Sequence, residues 1–78
     1  MTYFALFFTY TGAIKYEKFL NNKGCPCQIM PVPRKLTSNC GVGSKFTFEE
    51  DINSVISEDI EKLFKVDGNE YTLIYEEE

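Results

Sequence analysis

Residues 2–9, TYFALFFT, are apolar on both of their alternating sets. Tyr3, Ala5 and Phe7 form one set, and Phe4, Leu6 and Phe8 form the other. Successive side chains of a strand point to opposite faces. A strand apolar on both sets therefore has to be covered on both, which places it at the centre of a sheet. A chain of 78 residues has little material for that cover. It supports one domain with a thin core, whose stability is modest unless the chain oligomerises. We read residues 1–78 as that domain, with 76–78 (Glu76, Glu77, Glu78) as a solvated acidic tail.

The rest of the chain supplies the partners of this strand. Thr9 or Thr11 can cap a helix over residues 12–22 through its hydroxyl. Ala13, Tyr16, Phe19 and Leu20 form the helix's apolar stripe at spacings of three and four. Asn21-Asn22-Lys23-Gly24 is its stop signal. A second strand covers residues 26–32, and its prolines, which cannot donate to a ladder, put it at a sheet edge. A loop over 34–39 leads to a third strand over 41–48. Glu49-Glu50-Asp51 suits a helix start. Ile52, Val55, Ile56, Ile60, Leu63 and Phe64 then give a second helical stripe, interrupted at Ser57-Glu58-Asp59. Residues 66–69 turn the chain into a last strand over 70–76.

The order β-α-β-β-α-β predicts an α+β fold, the ferredoxin-like plait. Its four-stranded antiparallel sheet has both helices on one face and the first and last strands central. The other face would then show contiguous apolar surface, which usually marks an interface. A homodimer, or a partner, is expected there.

Charge is divided along the chain. Residues 1–48 hold six Lys/Arg and one acid, Glu17, whereas residues 49–78 hold two Lys and eleven acids. With a single arginine and a net charge of −4, a nucleic-acid surface is not expected. The apolar opening is too short to span a bilayer and lacks the flanks of a signal peptide, so no membrane role and a cytoplasmic location are expected. Three cysteines in a reducing compartment argue against a structural disulfide. The chain has no histidine, so no Ser-His-Asp or Cys-His set exists. It has no P-loop or dinucleotide fingerprint either. No cofactor or metal is expected.

The chemistry that remains centres on Cys40. Pro31-Val32-Pro33 is a stiff strand exit, followed by Arg34 and Lys35, a polar turn, Cys40, and then Gly41-Val42-Gly43. A thiol becomes a nucleophile when cations or free backbone N–H groups stabilise its anion. Arg34 and Lys35 are the candidate cations. Ser38 adds a donor, and Gly41 and Gly43 permit close approach and an anion-binding nest. The competing reading is that Cys40 is a small buried hydrophobe, the commoner fate of a free cysteine. Arg34 has its own bland alternative, an ion pair with Glu17 or with the acidic C-terminal part. Cys25 and Cys27 share a strand face and are read as packing residues, since Cys-Pro-Cys is neither a redox pair nor a zinc knuckle.

Pro31-Val32-Pro33-Arg34 followed by Ser38-x-Cys40-Gly41 resembles the signature of a small bacterial family, the Se/S carrier protein-like family. An aromatic first strand, a helix ending near Gly24 and the closing Gly-x-x-Tyr-x-x-Ile-Tyr from Gly68 extend the resemblance over nearly the whole chain. It implies a carrier, not an enzyme. Cys40 would hold a persulfide or selenide, with Arg34 and the loop amides steadying the terminal anion. Donor and acceptor proteins would be the partners. The alternative is a small dimeric binding or adaptor module in which Cys40 only packs. A thiol redox sensor is a third reading.

Overall fold

The computed structural model describes residues 1–36 and 40–77. Its elements are β1 (Thr2–Phe7), α1 (Tyr10–Asn22), β2 (Cys27–Pro31), β3 (Val42–Thr47), a 3₁₀ turn (Ile52–Val55), β4 (Ile60–Asp67) and β5 (Glu70–Glu76). The five strands form one sheet in the order β2-β3-β1-β4-β5, with every neighbouring pair antiparallel. No helix among the described residues is long and apolar enough to cross a membrane.

β1 lies at the centre, as its two apolar sets require. It pairs β3 from Thr2–Thr47 to Leu6–Gly43 and β4 from Thr2–Val66 to Phe7–Ile60. Tyr3, Ala5 and Phe7 face α1 and share one core with Ala13, Tyr16, Leu20, Phe46, Ile60 and Leu63. Phe4 and Leu6 face the other way and share a second, smaller core with Phe64.

Helix α1 starts and stops where its sequence directs. The Thr9 hydroxyl accepts from the Gly12 N–H at 3.0 Å, an N-cap. At the other end the Gly24 N–H donates to the Asn21 carbonyl and the Cys25 N–H to the Leu20 carbonyl, both at 3.0 Å. This pair of bonds is the Schellman arrangement. It delivers Cys25 into the core beside Leu20.

The expected plait is corrected in three respects. The described residues form five strands instead of four, and one α-helix instead of two. The second helical stripe becomes a 3₁₀ turn followed by strand β4. The last strand, β5, is at an edge of the sheet and not at its centre. The connection over residues 48–59 still does what a second helix would have done. It carries the chain back over the α1 side of the sheet, burying Val55 with Ile52 and Ile56 against the main core. The Tyr16 hydroxyl ties it down by donating to the Val55 carbonyl at 2.7 Å.

The far face is not left open as expected. Val32 and Leu36, from the segment between β2 and β3, pack against Phe4, Leu6 and Phe64. Phe4 is only 1% exposed as a result. The apolar surface on which a homodimer was expected is therefore largely covered by the chain itself. Leu73 of β5, opposite Phe64, remains exposed on that side.

The β4–β5 hairpin closes through Gly68 and Asn69, between the paired Asp67 and Glu70. Gly68 has φ +62°, which suits the first position of a tight hairpin turn.

Candidate functional site

The three cysteines occupy different environments. Cys25 follows the helix stop and is buried, with its Sγ donating to the Thr47 carbonyl at 3.1 Å. Burial pushes its thiol pKa above the ordinary value. Cys27 lies on the α1 face of β2, opposite Phe46, and is also buried. Burial raises its pKa most; the Ser44 hydroxyl beside it pulls the other way, and Glu17 and Cys25 add to the rise. A thiol that is buried and hard to ionise is a poor nucleophile. Both positions fit the packing role read from sequence.

Cys40 is the half-buried one. Its Sγ donates to the Phe7 carbonyl at 3.3 Å and to the Val42 carbonyl at 3.4 Å. Its side chain packs against the edge of the main core, on the α1 side of the sheet. The thiol thus sits at the end of β1, just before the chain leaves for α1. Phe8, directly after Phe7, and Tyr10, the first residue of α1, are exposed aromatics. Both carbonyls are acceptors, so these contacts are made by the protonated thiol.

Gly41 explains why a glycine follows the cysteine. Its φ of +76° is left-handed, and a side chain there would meet nothing within 4 Å among the described residues. The backbone beside Cys40 is therefore turned sharply and open to approach. The Gly41 carbonyl accepts from the Val32 N–H at 3.2 Å, closing the neck of the β2–β3 segment.

The other sequence candidates are distributed differently. Gly43 is inside β3, between Leu6 and Met30. A Cβ there would stand 2.6 Å from the Ala5 carbonyl oxygen and run into the Phe4 ring. Its lack of a side chain has a packing reason. Arg34 is exposed and takes no part in the ion pairs among the described residues. Lys35 is exposed but engaged: its ammonium donates to the Asn69 carbonyl and stands 5.1 Å from the centroid of the Tyr71 ring. Tyr71 belongs to the far-face core. Lys35 and Cys40 are consequently on opposite faces of the sheet. Ser38 lies outside the described residues, with Thr37 and Asn39.

The structure thus brings Cys40 and Gly41 together with the end of β1 and sends Lys35 elsewhere. The carbonyl partners of Cys40 were not readable beforehand, because a backbone acceptor leaves no mark on residue identity. An open cleft of about 460 Å³ lies near the other end of β1, lined by Thr2, Pro26, Cys27, Gln28, Lys45, Phe46 and Thr47. It does not include Cys40. Among the described residues no three Cys, Asp or Glu side chains converge into a group that could hold a metal ion.

The family model described as Putative Se/S carrier protein-like matches residues 2–76 of this chain, nearly its whole length. No curated protein and no solved structure matches it.

Proposed function

The chain belongs to the Se/S carrier protein-like family, and from that premise we propose that it is a non-enzymatic carrier holding sulfur or selenium on Cys40. One observation carries the choice of residue. Of the three thiols, Cys40 alone is half-exposed, while Cys25 and Cys27 are buried and pushed away from their thiolate forms.

In this reading Cys40 leaves the Phe7 and Val42 carbonyls as it loses its proton. The thiolate attacks the outer sulfur of a donor persulfide. A new S–S bond forms at Cys40, the donor's S–S bond breaks, and the donor departs as a thiolate. Gly41, with no side chain, adds no bulk beside Cys40 on the donor's approach. Arg34, exposed on the same segment, is the candidate cation for the terminal anion. A reducing cytoplasm keeps such a thiol available. The partners this reading calls for are a donor enzyme and an acceptor enzyme, and a second copy of the chain would rest on the part of the far face that stays exposed at Leu73. Light scattering on the eluting protein across a concentration series tests the last of these, and a monomer throughout removes the homodimer.

The test of the carrier is intact mass after incubation with a cysteine desulfurase and cysteine, or with the same enzyme and selenocysteine, each of which loads the outer chalcogen on the donor's own thiol. One added sulfur or selenium is expected, lost in Cys40→Ser and kept in Cys25→Ser and Cys27→Ser. An unmodified protein rejects the carrier. The second reading, a binding module with a structural cysteine, is favoured by the packing of Cys40 on the main core and its bonds to two carbonyls. Resistance of Cys40 to alkylation in the folded state would select it.

A further inference from the structure

We propose that Lys35 is a positioning residue for Cys40, acting as a clasp from the opposite face of the sheet. This rests on the reading of Cys40 as the reactive thiol. It departs from that reading in the role of the cation, which does not neutralise the sulfur but fixes the segment that presents it.

Three contacts carry the inference. The Lys35 ammonium is docked on the Asn69 carbonyl, in the β4–β5 turn, and over the face of Tyr71. Val32 and Leu36 on either side are seated on the far-face core, and the Leu36 N–H closes a turn onto the Pro33 carbonyl at 3.0 Å. The neck of the segment is closed by the Val32–Gly41 bond, and Cys40 is the residue next to Gly41.

The described part of the segment, residues 32–36 with Gly41, is therefore held at two places, its clasp and its neck. Cys40 emerges just beyond the neck, onto the α1 side, where Phe7 and Val42 accept its hydrogen bonds. A cation over an aromatic face is a directional but weak tether when exposed. Such a tether biases a local opening without deciding whether the domain folds. Losing it loosens the segment at Val32 and Gly41 and frees the thiol from its carbonyls.

The experiment measures the alkylation rate of each cysteine in the folded protein by peptide mass mapping. Lys35→Met keeps the stem and loses the charge, and Lys35→Arg keeps the cation. Lys35→Met should raise the Cys40 rate on the order of threefold to tenfold, the size of effect expected from one exposed cation–π contact and one hydrogen bond. Lys35→Arg should restore the wild-type rate, and the rates at Cys25 and Cys27 should not move. Tyr71→Leu, which removes the ring face and keeps apolar contact, should act in the same direction and serves if Lys35→Met does not fold. Equal Cys40 rates in all variants overturn the clasp. So does a parallel rise at all three cysteines, which reports general loosening. Sulfur loading of the wild type is measured separately. A protein that takes no sulfur yet shows the Lys35 dependence loses the carrier and keeps the clasp, and the converse result loses the clasp alone.

Discussion

The Cys40 Sγ lies 3.3 Å from the Phe7 carbonyl oxygen, so the last residue of the central strand holds the thiol of the segment that joins the edge strand β2 to β3. The other two thiols are buried on the α1 side of the sheet, Cys27 at the wall of the open cleft. A limiting amount of a thiol reagent should therefore label Cys40 first. Labelling of Cys25 and Cys27 should come later and speed up with added urea. Peptide mapping over a time course checks this, and simultaneous labelling of all three would show that the thiols are not ranked by burial.

Two glycines beside Cys40 are required for different reasons, and the difference is measurable. At Gly41 the constraint is the backbone, since φ is +76° and none of the described residues comes within 4 Å of a side chain there. An alanine there should cost about 1–2 kcal/mol through its left-handed conformation alone. At Gly43 the constraint is space, because the Phe4 ring and the Ala5 carbonyl fill the position. Gly43→Ala should cost about 1–3 kcal/mol by overpacking. Gly43→Ala combined with Phe4→Leu should recover part of that loss, whereas Phe4→Leu should not rescue Gly41→Ala. Urea midpoints of the five proteins decide it.

Tyr16 is the joint between the helix and the connection that replaced the second helix. Its hydroxyl donates to the Val55 carbonyl at 2.7 Å in a buried setting. Tyr16→Phe keeps the ring among Phe7, Phe19 and Phe46 and removes only that bond. Leaving the Val55 carbonyl unpaired should cost about 1–2 kcal/mol. Hydrogen exchange should rise across residues 52–60 before it rises in β1. An unchanged exchange pattern there would mean the connection is held by its apolar contacts alone.

The sequence was informative where one physical rule acted alone. The doubly apolar β1 could only be central, the prolines flanking and ending β2 could only suit an edge, and Gly24 ended α1 where expected. The second helix was misread for an identifiable reason. Ile60 and Leu63 are three residues apart and both face α1, which a regular strand cannot do. They manage it because the β1–β4 ladder slips, passing from the Leu6–Lys62 pair to the Phe7–Ile60 pair. Phe64 then falls on the far face. A β-bulge thus reproduced the i, i+3, i+4 spacing of a helix, and spacing cannot tell the two apart. The site was partly legible. Cys40 and Gly41 could be picked out, but nothing in residue identity said that Lys35 would dock on a carbonyl and a ring of the β4–β5 hairpin.

Alkaline pH should destabilise the fold. Burial raises the thiol pKa values of Cys25 and Cys27 above the reference of 9.0. The phenol of Tyr16 is raised as well, by burial first and then by the neighbouring Cys27 and Cys25. A raised folded pKa means that the native state holds its protons longer than the unfolded chain does. Stability is then fully present below the unfolded pKa and is lost as pH rises toward and through the folded one. The loss should begin near pH 9, where the unfolded thiols ionise, and steepen above pH 10, where the unfolded phenol follows. Urea midpoints at intervals from pH 7 upward should be flat and then fall. Cys27→Ala should make the first part of the fall shallower, because one of the groups responsible is gone. Midpoints that hold level to about pH 10.5 would show that these groups ionise as freely in the folded chain as in the unfolded one.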